Sequence, residues 1–140
     1  MTDHRSPRHR TALAAIAGLA LLNPLLIGGS ADAKPPKKVD SKVTFTGVDA
    51  SNVDHVKISG KVKSANKACK KGRTVKLRQL DQSRSAGKDK TNAKGKWTVV
   101  FDGNKINPGK FKATVTQKTI RKNGKRIICK SATVTKSITG

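Results

Sequence analysis

The chain has 140 residues and a formal net charge of +23, because 31 Lys and Arg stand against eight acidic residues, all of them Asp. This length allows one domain with one modest core. The charge favours anionic partners. With one Trp, three Phe and no Tyr, few aromatic rings are left to stack on bases or sugars once a core is built.

Residues 1–33 have the pattern of a secretory signal peptide. Three Arg residues precede an uncharged, mostly apolar run over 11–29, and "ADA" at 31–33 offers the small residues that a signal peptidase needs. The alternative is an uncleaved membrane anchor, since the apolar run is nearly long enough to span, but an Asn-Pro pair interrupts it. We predict an exported protein that begins at Lys34. Cleavage would remove three Arg and two Asp and lower the net charge to +22.

The segment "KPPKKVDSK", 34–42, contains two Pro and four Lys. Pro forbids helix and the charge favours solvent, so we predict a disordered basic linker. The β-domain is then predicted over 43–140.

From Lys42 onward the apolar residues recur with a period of two, which is typical of half-buried strands. The clearest runs are "HVKISGKVK", "TVKLR", "KWTVVF", "KFKATVTQ" and "SATVTKSI". Turn residues separate them, and Asn123-Gly124 is the strongest hairpin signal because both residues tolerate positive φ. The fold class predicted is all-β, a small antiparallel sandwich of about seven strands, Ig-like or transthyretin-like. The unpatterned stretch 81–90 is predicted to be a mobile loop.

The two cysteines and the single Trp indicate how the core is held together. Cys69 and Cys129 are the only cysteines, and in an exported protein we predict a disulfide between them. It would contribute about 4 kcal/mol in the chain-entropy model. Two free thiols are the alternative. Trp97 follows a turn closed by Gly95, and we predict that it anchors the core rather than forming a binding platform.

Four short motifs follow one another along the chain: Gly60-x-Val62, Gly72-x-x-Val75-x-Leu77, Thr91-x-x-x-Gly95-x-Trp97 and Pro108-Gly109-x-Phe111-x-Ala113-x-Val115. Their order resembles that of the carboxypeptidase regulatory-like domains of secreted bacterial type, which are transthyretin-like, prealbumin-type β-sandwiches of about seven strands. The resemblance covers roughly 53–138. It implies a non-catalytic accessory or binding module of secreted and surface proteins, and it brings no catalytic residues.

The sequence offers no set of residues for chemistry. His55 is the one His after the predicted cleavage site, and we predict a surface position near a strand start. No nucleophile elbow, phosphate-binding loop or His-rich metal spacing occurs. Asp49 and Asp54 belong to no dense Asp-x-Asp run of the kind that holds calcium. We therefore predict a protein that is not an enzyme, with no metal, no cofactor and no small-molecule substrate.

The basic residues indicate the partner. From Lys34 onward, 23 of the 28 are Lys, a hydrated point charge that favours diffuse attraction over a shaped pocket. The segment "RKNGKR", 121–126, concentrates Arg121, Lys122, Lys125 and Arg126 at a hairpin tip. We predict a polyanion-binding site there; a solvated loop that only keeps the protein soluble is the alternative.

The function predicted is that of a secreted or cell-envelope module that binds anionic cell-wall polymer, polysaccharide or lipid headgroups. A nucleic-acid or other polyanion binder is the first alternative. Export and the lack of a recognition helix argue against nucleic acid. A carbohydrate-binding or structural accessory module is the second alternative, and it would need an exposed aromatic ring.

Overall fold

The structure is a computed structural model that describes residues 34–105 and 107–139, so the predicted signal peptide lies outside the described residues. Three short 3-10 turns cover Val53–His55, Lys67–Cys69 and Gly103–Lys105. The strands are β1 Lys37–Val39, β2 Ser41–Asp49, β3 Val56–Ser64, β4 Thr74–Gln79, β5 Arg84–Lys90, β6 Lys96–Phe101, β7 Gly109–Val115, β8 Lys118–Lys122, β9 Lys125–Cys129 and β10 Ala132–Ile138. In the described part of the chain no helix is long and apolar enough to cross a membrane.

Two sheets form a β-sandwich. One sheet has four strands in the order β10-β7-β4-β5, the other has three in the order β2-β3-β6, and all of their pairings are antiparallel. The inner faces pack on each other, since the buried residues of both sheets form one apolar cluster. The prediction of a small antiparallel β-sandwich of about seven strands is confirmed.

The core is built by the alternation that the sequence shows, and Trp97 is its largest buried side chain, 1% exposed. Gly60 lies directly opposite Trp97 on β3, and Phe45 lies on the other side of Gly60 on β2. A Cβ on Gly60 would meet the indole ring and the carbonyl oxygen of Thr44. The missing side chain therefore leaves room for the indole, and Phe45 packs edge-on to it with ring centroids 5.8 Å apart. The prediction that Trp97 anchors the core is confirmed.

The turn before Trp97 is closed by polar contacts. Gly95 has a φ of +78°, and its amide donates to the carbonyl of Asn92 at 3.0 Å. The Asn92 side chain accepts hydrogen bonds from the amides of Lys94 and Lys96 at 2.9 and 3.0 Å. These contacts set the start of β6, so that Trp97 enters the core at its second residue.

A third sheet, in the order β1-β9-β8, lies beside the sandwich and has its own small cluster of buried residues, Val39, Cys69, Ile127 and Cys129. The two sulfur atoms are bonded, with Cα atoms 5.4 Å apart, so the predicted disulfide is present. It joins the turn before β4 to the end of β9. A disulfide is typical of proteins in oxidising compartments.

Two predictions about irregular segments differ from the structure. Lys37–Val39, placed in a disordered linker over 34–42, forms β1 and pairs in parallel with β9, because Val39 is buried against the disulfide. The loop predicted over 81–90 contains β5, Arg84–Lys90, which pairs with β4. Only Ala86 on β5 is a buried apolar residue, and a bulge interrupts its register. The strand therefore has no alternating pattern to recognise.

Candidate anion-binding surface

The four predicted polyanion-binding residues lie together at the tip of the β8-β9 hairpin. Asn123 and Gly124 form the two-residue turn with φ values of +50° and +69°, as a type I′ hairpin requires. The register then places Arg121 directly opposite Arg126, and Lys122 directly opposite Lys125. All four side chains are exposed. The hairpin predicted from the Asn-Gly pair is confirmed.

Like charges therefore face each other twice across this hairpin. Directly opposed like charges destabilise an antiparallel pair. None of the four cations forms an ion pair with a carboxylate of residues 34–105 or 107–139. Each side chain can therefore turn towards a bound anion without breaking an ion pair to these residues.

The N-terminal segment adds to this cluster. Lys34, Pro35, Pro36 and Lys37 run along the hairpin, and together with its tip they line a groove of about 490 Å³. Pro fixes its backbone φ, so the two prolines limit the positions that the neighbouring lysines can take. We call the six cations of this region the hairpin surface: Lys34, Lys37, Arg121, Lys122, Lys125 and Arg126.

The basic region continues towards the sandwich. A second groove, of about 610 Å³, lies between Lys37, Lys122 and Lys67. It shares Asp40 and Ala65 with a third groove of about 490 Å³. The cations that line the third groove are Lys42, Lys61, Lys63 and Lys70. Asp40 is the acid in this region, and its carboxylate pairs with Lys130 at 2.8 Å.

A buried arginine fixes the third sheet to the sandwich. Arg73 is 1% exposed, and its guanidinium donates to the carbonyl oxygens of Cys69, Thr116 and Lys130 and to the Ser41 hydroxyl, at 2.6–3.1 Å. Burial lowers the pKa of the Arg73 guanidinium from its usual value. Its hydrogen-bond partners are all uncharged. Arg73 thus holds the segment that leads into β8 and the segment that joins the end of β9 to the start of β10.

The other candidates from the sequence lie elsewhere. His55 is exposed in the turn before β3, and the carboxylate of the neighbouring Asp54 accepts a hydrogen bond from the side-chain amide of Asn104 at 3.0 Å. Asp49 accepts hydrogen bonds from the Ser51 hydroxyl and amide, which lower its pKa. Within 34–105 and 107–139, no group of three or more His, Cys, Asp or Glu is placed to hold a metal ion.

Lys34, Lys37 and Arg73 cannot be recognised as part of this region from the sequence. The two prolines and four lysines of 34–42 predict a linker, and the signal that places Lys34 and Lys37, Val39, is a single apolar residue. Arg73 stood in a run of basic turn residues, "KKGR", and nothing local distinguishes it from its exposed neighbours. Its burial follows from carbonyl groups up to 57 residues away.

Comparison with protein families, with curated proteins and with solved structures finds no match to the chain.

Proposed function

We propose that this protein is an exported, non-catalytic β-sandwich module that binds anionic polymers of the cell envelope or its surroundings through the hairpin surface. The observation that carries the proposal is that two like-charge pairs are directly opposed across the hairpin, Arg121 with Arg126 and Lys122 with Lys125. Their repulsion costs folding free energy that a bound polyanion would remove. The partner class is a polymer with repeated phosphate, carboxylate or sulfate groups.

The composition of the tip supports recognition of an anion over a purely solubilising role. Two of the five Arg residues that follow the predicted cleavage site lie there, and Arg matches the planar, bidentate geometry of phosphate and carboxylate groups. For solubility alone, acidic residues serve better than basic ones. The chain contains no Glu.

Binding to isolated envelope fractions tests the proposal. We expect the protein to sediment with envelope polymers at low salt, and its affinity to fall steeply as salt rises, with a slope of log K against log salt of about −0.9 per phosphate contact on duplex DNA as a model polyanion. The variant R121Q/K122Q/K125Q/R126Q removes up to four contacts and flattens that slope. A charge-matched variant, K57Q/K71Q/K94Q/K136Q, should keep it.

The same experiment separates the alternatives. Equal binding of the hairpin variant and the parent protein at every salt concentration would remove the hairpin from the site. A neutral, shape-specific sugar ligand would give affinity that is nearly flat in salt. Preference for single-stranded or duplex nucleic acid over envelope polymer of equal charge would favour the nucleic-acid alternative.

Export and family membership are part of the proposal. The disulfide is compatible with an oxidising compartment, and the sandwich is compatible with a carboxypeptidase regulatory-like domain. We expect intact-mass measurement of protein from culture medium to give a chain that begins at Lys34. Recovery of full-length protein from membranes alone would contradict both cleavage and release.

A further inference from the structure

The outer face of the four-stranded sheet is a second cationic surface, apart from the hairpin. We call it the broad face. On strands β4, β5, β7 and β10 every outward position is Lys, Arg, Thr or Ser, while Val75, Leu77, Phe111 and their neighbours point into the core. The cations form a diagonal band across three strands: Lys76, Arg78, Lys88, Lys90, Lys110 and Lys112.

Like charges are neighbours here too. Lys76 lies opposite Lys88, and Arg78 lies opposite Lys112. Interspersing both signs of charge avoids a large single-sign field on a protein surface, and like charges directly opposite each other are unfavourable. The hydroxyls at the remaining positions can donate hydrogen bonds to anion oxygens. The broad face therefore has the composition of an anion-binding surface over its whole width.

The nearby acids do not neutralise it. Asp89 is on β5 but opposes the buried Val75, and its carboxylate accepts a hydrogen bond from the Thr98 amide at 2.8 Å, on the inner side of the sheet edge. Asp81 lies in the turn after β4 and caps the amide of Lys110 at 2.6 Å. Both carboxylates are held by backbone amides at the margins of the sheet.

The broad face and the grooves beside the hairpin surface lie on opposite sides of the sandwich. The grooves beside the hairpin surface continue onto Lys42, Lys61 and Lys63 of the three-stranded sheet, which is the opposite side of the sandwich. Stacked sheets are about 10 Å apart before outward side chains are counted. The screening length at physiological ionic strength is about 8 Å. A polymer on one side therefore leaves the charge of the other side almost unaffected.

We propose that the broad face is a second polyanion-binding site, so that one molecule bridges two chains of anionic polymer. The class of polymer rests on the proposed function, but the bridging does not follow from it, because the hairpin surface alone would bind one chain. The module would then cross-link the polymers that it binds.

Stoichiometry with a short polyanion tests this. The probe is a linear inorganic polyphosphate oligomer too short to pass from one side of the sandwich to the other, in excess, with bound oligomers per protein monomer measured by calorimetry and sedimentation. We expect two for the parent protein. The broad-face variant K76Q/K88Q/K112Q should bind one, and so should R121Q/K122Q/K125Q/R126Q. The control K71Q/K94Q/K136Q, which loses the same charge as the broad-face variant, should bind two.

Bridging is measured directly with long polyphosphate carrying donor or acceptor dyes. The parent protein and the control should produce energy transfer between chains, and each site variant should reduce it to background while circular dichroism and Trp97 emission stay native.

One oligomer per parent monomer, or bridging by the broad-face variant, would overturn the inference and leave the hairpin site standing. More than two oligomers, unchanged by either variant, would overturn it in favour of diffuse charge. No binding by the parent protein would refute the proposed function itself.

Discussion

The sandwich and the third sheet reach stability by different means. The sandwich buries eleven residues in one cluster, Trp97, Ile58, Leu77 and Phe111 among them. Among the described residues, the cluster at the third sheet has four, and two of these are the cysteines of one disulfide. Apolar burial stabilises by about 25 cal/mol per Å² of area removed from water, so the third sheet gains far less from it. The disulfide and the hydrogen bonds of Arg73 supply further stabilisation of the third sheet.

This difference accounts for where the hairpin surface lies. Opposed like charges at the tip of a sheet repel each other and lower its stability. The burial of a small apolar cluster compensates for only part of that loss. The disulfide fixes the opposite end of that sheet, at Cys129, and Arg73 binds the carbonyl of Lys130 just after it. The charged tip can therefore project into solvent while its base is held by contacts that do not depend on apolar area.

The largest effect is expected from Trp97→Ala. Truncating a core aromatic costs about 3–5 kcal/mol, which in a domain of this size approaches the whole stability. Denaturant titration followed by circular dichroism measures it. Val100→Ala is the control, since Val100 lies on the outward face of the same strand and is 52% exposed, and it should change stability by less than about 0.5 kcal/mol. Native Trp97 emission at the hydrated maximum would contradict the buried position.

Trp97→Phe tests how the volume of the Trp97 side chain contributes to stability. The indole Nε1 is buried with no hydrogen-bond partner among the described residues, and an unsatisfied buried donor is unfavourable. Phe removes that donor but leaves a smaller cavity than Ala does. We expect a loss well below that of Trp97→Ala, and equal losses for the two variants would contradict this account of the packing.

Breaking the disulfide should have the next largest effect, and a more local one. Cys69→Ala with Cys129→Ala is expected to cost about 2–4 kcal/mol. Hydrogen exchange should show β1, β8 and β9 losing protection before β3 and β7 do, since the sandwich core does not contain the bond. Uniform loss of protection across both regions would contradict the separation of the two clusters.

Arg73→Met comes third, at about 2 kcal/mol. Hydrogen bonds to a charged group contribute about 1.5–3 kcal/mol each, but removing a buried cation without a carboxylate partner also removes its desolvation cost. The net loss should therefore fall below the sum of the bonds. Arg78→Met is the control, because Arg78 is exposed and makes one hydrogen bond, to the carbonyl of Ser83 at 3.1 Å. A loss of stability no greater than that of Arg78→Met would contradict the structural role of Arg73.

The sandwich could be predicted from the sequence because its strands alternate with period two. β3 shows this directly: Ile58 and Val62 are buried while Lys57 and Lys63 are exposed. The turns followed from local chemistry, since Asn123 and Gly124 adopt positive φ. β1 and β5 could not be predicted, because each has a single buried apolar residue, Val39 and Ala86. Their pairing depends on strands that are distant in the chain.

Four of the six cations of the hairpin surface could be predicted from the sequence, because they lie within six residues around a recognisable turn. Lys34 and Lys37 could not, since a parallel pairing of β1 with β9 brings them there across about 90 residues. The broad face was visible as alternating Lys but not as one surface, because only the register shows that Arg78 lies opposite Lys112.

The smallest effect expected is a gain, and it concerns the like-charge pairs of the hairpin. Arg121→Thr with Lys122→Thr removes one partner from each pair, and Thr suits a strand as well as the residues it replaces. Cross-strand pair effects are about 0.2–1 kcal/mol, so the double variant should be more stable than the parent protein by about 1 kcal/mol at low salt. Denaturant titration at two ionic strengths measures this difference.

Salt dependence decides whether repulsion is the cause. At about 1 M salt the screening length shrinks to about 3 Å, shorter than the distance between directly opposed residues, about 5 Å. The parent protein should therefore gain stability with salt until the two proteins are nearly equal. Lys71→Thr with Lys94→Thr removes the same charge from sites outside the hairpin and should show a smaller gain. An equal gain would mean that the overall positive charge, rather than the opposed pairs, lowers the stability of the protein. The hairpin would then lose the feature on which its proposed role in binding rests.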